Sequence, residues 1–367
     1  MNAATAGTLR PGLRDLAGAA DAAADGDERL ARLLAGLKRK YTGRITGELA
    51  MPALSARYLN LPADMHPDLR RALAARGLER LYSHQRAAWD LARADRHLVV
   101  ATPTASGKTL CYNLPVLDAV LSRGAKALYL FPTKALAQDQ VAELAELNRS
   151  GRAGAPELGV KAFTFDGDTP GDARKAVRTR GDIVLSNPDM LHQAILPHHT
   201  KWAQFFESLA FVVVDELHSY RGVFGAHVAN VFRRLNRICR FYGSAPRFIF
   251  ASATIANPDE LASKLIGEPV AAITDSGAPR GARHLLLWNP PVIDPDLGIR
   301  ASARSQTTRI ARAATRAGLK NIVFARSRLM VEVITKYLKD VFDRDPRRPP
   351  RVLAYRGGYL PSERRGT

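Results

Sequence analysis

Residues 101–115 read ATPTASGKTLCYNLP and contain Gly107, Lys108 and Thr109 in succession. In loops of the pattern G-x-x-x-x-G-K-[ST], backbone N–H groups hold phosphate oxygens, the lysine ammonium reaches the β- and γ-phosphates, and the hydroxyl binds Mg²⁺. Thr102 replaces the first glycine of that pattern, and an ordinary Pro/Gly turn is the alternative interpretation. The residues predicted to bind nucleotide in this loop are Thr104, Ala105, Ser106, Gly107, Lys108 and Thr109.

A second cluster of reactive side chains is the acidic pair in FVVVDELHSY, residues 211–220. Asp215 and Glu216 follow four apolar residues, and two adjacent carboxylates make poor core residues. We expect Asp215 to hold Mg²⁺, directly or through water, and Glu216 to activate the attacking water. A helix-capping acidic pair is the alternative. The predicted chemistry is ATP hydrolysis with the cofactors ATP and Mg²⁺, the catalytic residues being Lys108, Asp215 and Glu216 and the metal-binding residues Thr109 and Asp215.

Short apolar runs alternate with longer helical patterns around these residues, and they lack the polar–apolar alternation of half-exposed strands. Runs of this kind fit strands buried on both faces of a parallel sheet. The sequence therefore predicts an α/β domain with a doubly wound parallel sheet and helices on both faces, whose ligands bind at the carboxyl ends of the strands. The predicted strands cover residues 97–102, 126–131, 160–165, 182–186, 211–215 and 247–253.

The 367 residues are more than one compact core usually accommodates, so we expect more than one domain. A Gly/Pro-rich passage after residue 273 is interpreted as a linker, and a new β-α-β pattern follows it, with strands predicted at 321–325 and 351–355. The predicted segments are a helical N-terminal extension (1–80), the nucleotide-binding lobe (81–273), the linker (274–300) and an incomplete second lobe (301–367).

The chain is strongly basic, with a formal net charge of +19. Residues 300–367 alone hold 17 Lys+Arg against 5 Asp+Glu, so the excess is uneven. Polyanions such as nucleic acids are the natural partners of a basic surface. An Arg-rich composition without functional meaning is the alternative, so the charge has to be weighed together with the motifs.

Composition also excludes several classes of protein. No apolar run of 18 residues occurs, and the first residues lack the apolar core of a signal peptide. Two cysteines, Cys111 and Cys239, are too few for a disulfide framework or a four-cysteine zinc site. We therefore expect a soluble, cytoplasmic protein without a membrane partner.

The motifs together resemble those of superfamily-two DEAD/DEAH-box helicases, in which the first glycine of the loop is commonly missing. TPTASGKT, DELH (215–218) and SAT (252–254) resemble motifs I, II and III, and LYSHQ (81–85) resembles the Q-motif. LFPTKALAQDQ resembles motif Ia and LSNPDMLH resembles motif Ib. The resemblance covers residues 81–256 and implies a RecA-like lobe followed by a partial second RecA-like lobe.

The resemblance also assigns roles to residues that spacing alone does not identify. It places Gln85 on the adenine. Motifs Ia and Ib imply contacts to the phosphates of a single strand, and motifs II and III imply that phosphate release is coupled to movement of the lobes. The implied nucleic-acid-binding residues are Pro132, Thr133, Lys134, Asn187 and Pro188, and the implied coupling residues are His218, Ser252 and Thr254.

Further stretches, including VFARSR and AYRGGYLPSERR, are similar to sequences of the YprA-like branch of bacterial DNA helicases. That branch implies ATP-dependent translocation and unwinding of single-stranded or tailed duplex DNA, usually 3′ to 5′, in DNA repair. No stretch resembles motifs V and VI, which carry the arginines of the second lobe, so we expect a truncated helicase with weak turnover and no unwinding. The alternatives are an RNA helicase, a non-catalytic fragment that binds ATP and nucleic acid, and a metabolic P-loop ATPase.

Overall fold

The computed structural model describes residues 15–149 and 157–356, with side chains from residue 26 onward. The helices are α1 (Asp15–Lys40), α2 (Pro67–Ala75), α3 (Ser83–Arg93), α4 (Lys108–Arg123), α5 (Lys134–Asn148), α6 (Gly171–Arg180), α7 (Pro188–Met190), α8 (Ala203–Glu207), α9 (Gly222–Phe241), α10 (Pro258–Ile266), α11 (Ala303–Arg316) and α12 (Arg328–Phe342). The strands are β1 (Ile45–Met51), β2 (Tyr58–Asn60), β3 (Arg80–Tyr82), β4 (Leu98–Val100), β5 (Lys126–Leu130), β6 (Ala162–Thr164), β7 (Ile183–Ser186), β8 (Leu209–Val214), β9 (Arg247–Ala251), β10 (Ala271–Ile273), β11 (Arg283–Trp288), β12 (Val292–Asp294) and β13 (Ile299–Arg300).

The central sheet is parallel and holds seven strands of the described chain, in the order β10-β4-β9-β8-β5-β7-β6. Its side chains alternate between two apolar cores, since Leu98 and Val100 belong to one core and Val99 to the other. Helices α3, α4 and α5 contribute to the first core, and α9 and α10 to the second. The predicted α/β fold with a doubly wound parallel sheet is confirmed, and burial on both faces explains the continuous apolar runs.

The chain divides into two compact units, residues 53–281 and residues 1–52 with 282–367. The first unit contains the seven-stranded sheet and both large cores. In the second unit, β1 and β11 pair antiparallel, from Ile45↔Trp288 to Met51↔Arg283. This division differs from the boundaries predicted at residues 80 and 273, because the strand-forming segments 45–51 and 283–288 pair across more than 200 residues of sequence.

Three predictions of local structure need correction. Residues 1–80, predicted as a helical extension, also contain strands β1 and β2, and the predicted linker contains β11 and β12. Residues 321–325 and 351–355, predicted as strands, pair with no other strand in the part of the chain that the structure describes. Their apolar residues alternate between a small core that includes Val323 and Val352 and open surface, where Phe324 is 90% exposed. Strand formation requires a neighbouring strand as well as an apolar pattern. The motif-like stretch at 357–365 lies outside the described residues.

No helix of the described chain has the length and apolarity needed to cross a membrane.

Candidate nucleotide site and nucleic-acid interface

The phosphate-loop candidate is the turn between the end of β4 at Val100 and the start of α4 at Lys108. Two of its residues have left-handed backbones, Ala105 with φ +61° and Gly107 with φ +79°. A Cβ atom at Gly107 would lie 2.8 Å from Gln85 Nε2, so glycine is required both for conformation and for space. The Thr102 and Ser106 hydroxyls are 2.8 Å apart and close the turn. This is the strand–turn–helix context in which a helix N-terminus binds anions.

Lys108 folds back over the loop. Its Nζ donates to the carbonyl oxygens of Thr102 at 2.9 Å and Pro103 at 3.0 Å. Burial lowers the pKa of the Lys108 ammonium, while the charges of Asp215 and Glu216 oppose that effect. The ammonium is therefore held above the loop in a position between the loop carbonyls and the acidic pair.

Gln85 connects the start of α3 to the loop. Its Oε1 accepts from the Tyr82 N–H at 2.9 Å, and its Nε2 donates to the Gly107 carbonyl at 3.0 Å. The Gln85 amide thus supports the loop backbone at Gly107, and the absence of a Cβ atom at Gly107 leaves space for this amide. Contact of Gln85 with an adenine stays a prediction.

Asp215 follows β8 directly and lies beside α4. Its Oδ1 accepts from the Glu216 N–H at 2.8 Å, and its Oδ2 accepts from the Tyr112 hydroxyl at 3.2 Å. Burial raises the pKa of Asp215 to about 6, and the hydrogen bond from the Glu216 N–H opposes this rise. The Tyr112 hydroxyl also interacts with Thr109, so the two oxygen donors predicted to bind metal flank one hydroxyl group.

The donor set at this position fits Mg²⁺. Among the described residues, no group of three or more His, Cys, Asp or Glu side chains forms a metal cage. Mg²⁺ in nucleotide sites is typically held by one or two protein oxygens together with phosphate oxygens and water. One buried carboxylate, Asp215, and one hydroxyl, Thr109, match that requirement.

Glu216 has a left-handed backbone, with φ +54°. Such a conformation costs a non-glycine residue free energy and is found mostly where function requires it. The Glu216 carboxylate lies 3.3 Å from His218 Nδ1, which is within ion-pair distance but outside hydrogen-bonding geometry. Glu216, which the sequence predicts as a general base, thus lies next to His218, which the resemblance predicts to couple phosphate release to movement of the lobes.

The SAT segment follows β9, next to β4 in the sheet. The Ser252 N–H donates to the Val100 carbonyl at 2.9 Å, and the buried Ser252 hydroxyl has no hydrogen-bond partner among the described residues. Thr254 is exposed. Motif III therefore begins at the edge of the sheet from which the phosphate loop starts, with one hydroxyl buried and one open.

The residues predicted to contact nucleic acid follow β5 and β7, which are adjacent strands. Thr133 and Asn187 cap the next helices, Thr133 Oγ1 accepting from Leu136 N–H at 3.4 Å and Asn187 Oδ1 accepting from Met190 N–H at 2.8 Å. Lys134 Nζ pairs with Asp168 at 2.6 Å on the surface. Pro132 precedes the first of these helices and Pro188 opens the second. The cap bonds fix both turns on the same edge of the sheet.

Sequence patterns missed three polar residues of the site: Tyr112, Gln140 and His84. The Tyr112 hydroxyl lies 2.9 Å from Gln140 Oε1 as well as beside Asp215, and Gln140 Nε2 has no partner within the described chain. His84 contacts the Ser106 carbonyl at 3.1 Å. Only the position of His84 next to Gln85 could have drawn attention to it, because the other two residues read as ordinary helix positions.

A family model described as DEAD/DEAH box helicase matches residues 82–261. Residues 82–261 belong to the DEAD/DEAH box helicase family. The matched range contains the loop, the acidic pair and the SAT segment.

Similar proteins extend the likeness beyond that domain. The chain is 50% identical over 308 residues to ATP-dependent helicase YprA of Bacillus subtilis (strain 168), covering 83% of this chain and 40% of YprA. It is 35% identical over 337 residues to ATP-dependent helicase hrq1 of Schizosaccharomyces pombe, covering 89% of this chain and 31% of that protein. A crystal structure of DUF1998 helicase MrfA bound to DNA matches with a TM-score of 0.85 and 46% identity, covering 92% of this chain and 44% of that one. The chain therefore spans less than half the length of these relatives.

Proposed function

We propose that this chain is the ATP-binding portion of an ATP-dependent DNA helicase that couples ATP hydrolysis to movement along DNA. The observation that carries the proposal is that Thr109 and Asp215 both interact with the Tyr112 hydroxyl at the carboxyl edge of the sheet, while Lys108 lies close enough to Asp215 for their charges to interact. A carboxylate and a lysine brought together in this way serve phosphoryl transfer better than an acidic pair that only caps a helix.

Each residue of the site has its own proposed role in binding or hydrolysing ATP. The N–H groups of residues 104–107 and the Lys108 ammonium bind the phosphates, and Gln85 supports the loop and contacts the adenine. Thr109 and Asp215 hold Mg²⁺, which neutralises phosphate charge when bound. Glu216 accepts a proton from the attacking water.

The nucleic-acid contacts follow from the same edge of the sheet. Residues 132–134 and 187–188 contact phosphates of a single strand, which gives binding without sequence preference. His218, Ser252 and Thr254 transmit phosphate release to the lobes.

DNA is favoured over RNA as the nucleic acid. Similar proteins include the DNA-bound MrfA and ATP-dependent DNA helicase Hel308 of Pyrococcus abyssi, which is 31% identical over 198 residues. Residues 301–367 are proposed as the first part of a second RecA-like lobe, and the protein is proposed to act in the cytoplasm, in DNA repair.

Steady-state ATP hydrolysis by purified residues 1–367 tests this proposal, with single-stranded DNA, single-stranded RNA or no nucleic acid. The expected result is slow turnover that DNA stimulates more than RNA, and that Glu216→Gln abolishes while nucleotide binding is retained. Rates no higher for the wild type than for Glu216→Gln under all three conditions, with nucleotide and nucleic-acid binding retained, would instead favour the second candidate, a non-catalytic fragment that binds ATP and nucleic acid.

A further inference from the structure

The segment that leaves the nucleotide-binding unit, residues 274–281, is tied back to that unit by backbone hydrogen bonds. We refer to it as the exit segment. The Gly277 carbonyl accepts from the Arg57 N–H at 2.9 Å, and Arg280 exchanges two backbone bonds with Leu54, at 2.8 and 2.9 Å. A further anchor of the exit segment is the His84 side chain, because the Gly277 N–H donates to His84 Nδ1 at 3.1 Å.

His84 reaches the phosphate loop with its other nitrogen. Its Nε2 lies 3.1 Å from the Ser106 carbonyl oxygen, and the residue is 1% exposed. Since Nδ1 accepts from Gly277, the neutral ring carries its proton on Nε2 and donates it to Ser106. One imidazole thus spans from the exit segment to the phosphate loop, and it stacks on Tyr82 at 5.9 Å between ring centroids.

Two consecutive side chains at the start of α3 therefore hold two consecutive loop carbonyls. His84 holds that of Ser106, and Gln85 holds that of Gly107 at 3.0 Å. His84 bonds the exit segment as well. A loop whose backbone must fit phosphate oxygens depends on accurate placement of these carbonyls, because each N–H group of the loop is linked to them through planar peptides.

The close contact between Gly277 and Ser83 leaves no room for a side chain at position 277. A Cβ atom there would lie 2.3 Å from Ser83 Oγ and 2.7 Å from Ser83 N. The exit segment therefore sits directly on the start of α3, and a side chain at position 277 would push it away from His84.

We propose that His84 is a positioning residue that couples phosphate binding at the loop to the conformation of the exit segment. This inference rests on the proposed binding of ATP to the loop. Any movement of the Ser106 carbonyl on phosphate binding changes the His84 ring position, and the Gly277 N–H follows because it is the donor to the same ring. By thermodynamic reciprocity, releasing the exit segment from His84 changes nucleotide affinity by the same factor by which nucleotide orders the segment.

The ring performs this role in its neutral form. Burial lowers the pKa of His84, the hydrogen bond with the Ser106 carbonyl opposes this, Lys108 and Arg57 lower the pKa further, and Asp275 raises it. Protonation would place a second N–H opposite the Gly277 N–H and remove the acceptor that holds the exit segment.

Two substitutions separate the two halves of the link. An asparagine places its carbonyl oxygen near the position of Nδ1, so His84→Asn retains an acceptor for Gly277 and loses the donor to Ser106. A glutamine places its amide near the position of Nε2, so His84→Gln retains the donor and loses the acceptor. Gly277→Ala displaces the exit segment while leaving His84 intact, and His192→Asn, an exposed histidine, is the matched control.

The measurement is amide hydrogen exchange of residues 274–281 with and without a non-hydrolysable ATP analogue and Mg²⁺, together with the affinity for that analogue. In the wild type and His192→Asn, the analogue is expected to slow exchange by about fivefold or more. In His84→Gln and Gly277→Ala, which release the exit segment, the slowing disappears and analogue affinity falls by the same factor. His84→Asn, which keeps an acceptor for Gly277 but loses the donor to Ser106, also loses the slowing.

Three results would overturn the inference, and they are distinguishable. A wild type that binds the analogue with no change in exchange, or a full response in both His84→Gln and Gly277→Ala, would overturn the coupling alone. A wild type that does not bind the analogue would overturn the proposed function and this inference together.

Discussion

The Asp215 carboxyl group is buried beside Tyr112 and has a pKa raised to about 6, against an ordinary value of 3.8. Because the folded protein favours the protonated form, the stability contributed by this group is full below pH 3.8 and is lost as the pH rises through about 6. In the nucleotide-free protein at pH 7.5, the ionised Asp215 carboxylate is therefore destabilising.

Replacing this carboxylate by a neutral amide tests whether the ionised carboxylate lowers the stability of the fold. Asp215→Asn is expected to raise the free energy of unfolding at pH 7.5 by on the order of 1–3 kcal/mol, because ionising a carboxyl group whose pKa is raised to about 6 costs free energy in that range. The difference should vanish well below pH 3.8, where this position is neutral in the folded and unfolded states of both proteins. Urea unfolding at both pH values measures it, with the exposed Asp139→Asn as the control. An Asp215→Asn protein that is less stable than the wild type at pH 7.5 would contradict the raised pKa of Asp215.

Sequence patterns were sufficient to place residues in the turns that leave buried strands. Lys108 and Asp215 could be predicted because an apolar run, a polar turn and a helix pattern fix their positions at the edge of the sheet. Tyr112 and His84 could not, because their roles depend on which helix faces which strand end. That information is a property of tertiary packing and not of local spacing.

At the scale of elements, the same apolar pattern had two outcomes. Residues 126–131 and 211–215 largely became paired strands of the sheet, whereas residues 321–325 did not pair. Burial on both faces distinguishes them, since Leu128 and Val212 are fully buried and Phe324 is 90% exposed. A strand pattern therefore predicts a strand only when neighbouring strands and covering helices are also present.

The alternation within residues 321–325 gives a matched pair of substitutions. Val323 packs on the small core formed with α11 and α12, and Phe324 points to solvent. Val323→Asp should destabilise this unit by on the order of 2 kcal/mol through burial of a charge-bearing group, whereas Phe324→Asp should change stability by less than about 0.5 kcal/mol. Limited proteolysis within residues 282–356 measures the difference. Equal protease sensitivity of the two variants would contradict the different burial of Val323 and Phe324.

For the molecule as a whole, charge was predictable from the sequence and the division of the chain was not. Pairing of β1 with β11 joins segments more than 200 residues apart, and no local pattern specifies that partner. The net charge of +19 follows from the sequence alone. Helix α11 is one place where positive charge is concentrated, since it contains four arginines and no acidic residue.

This charge gives a prediction for the proposed binding of DNA. Single-stranded DNA should bind with little sequence preference, and affinity should fall about tenfold or more between roughly 50 and 200 mM salt, because counterions are released from several phosphates. Fluorescence anisotropy with oligonucleotides of different sequence measures both properties. An affinity that is independent of salt, or a marked preference for one sequence, would argue against contacts with the backbone.

The most direct test of nucleotide binding at the loop is the affinity of residues 1–367 for a fluorescent ATP analogue with Mg²⁺, compared between the wild type and Lys108→Ala. Loss of a charge-assisted contact to the phosphates should weaken binding by about 10–100-fold. Lys161→Ala, which removes an exposed lysine, should bind like the wild type. If Lys108→Ala binds the analogue as tightly as the wild type does, the loop at residues 101–109 is not the nucleotide site and the proposed function fails with it.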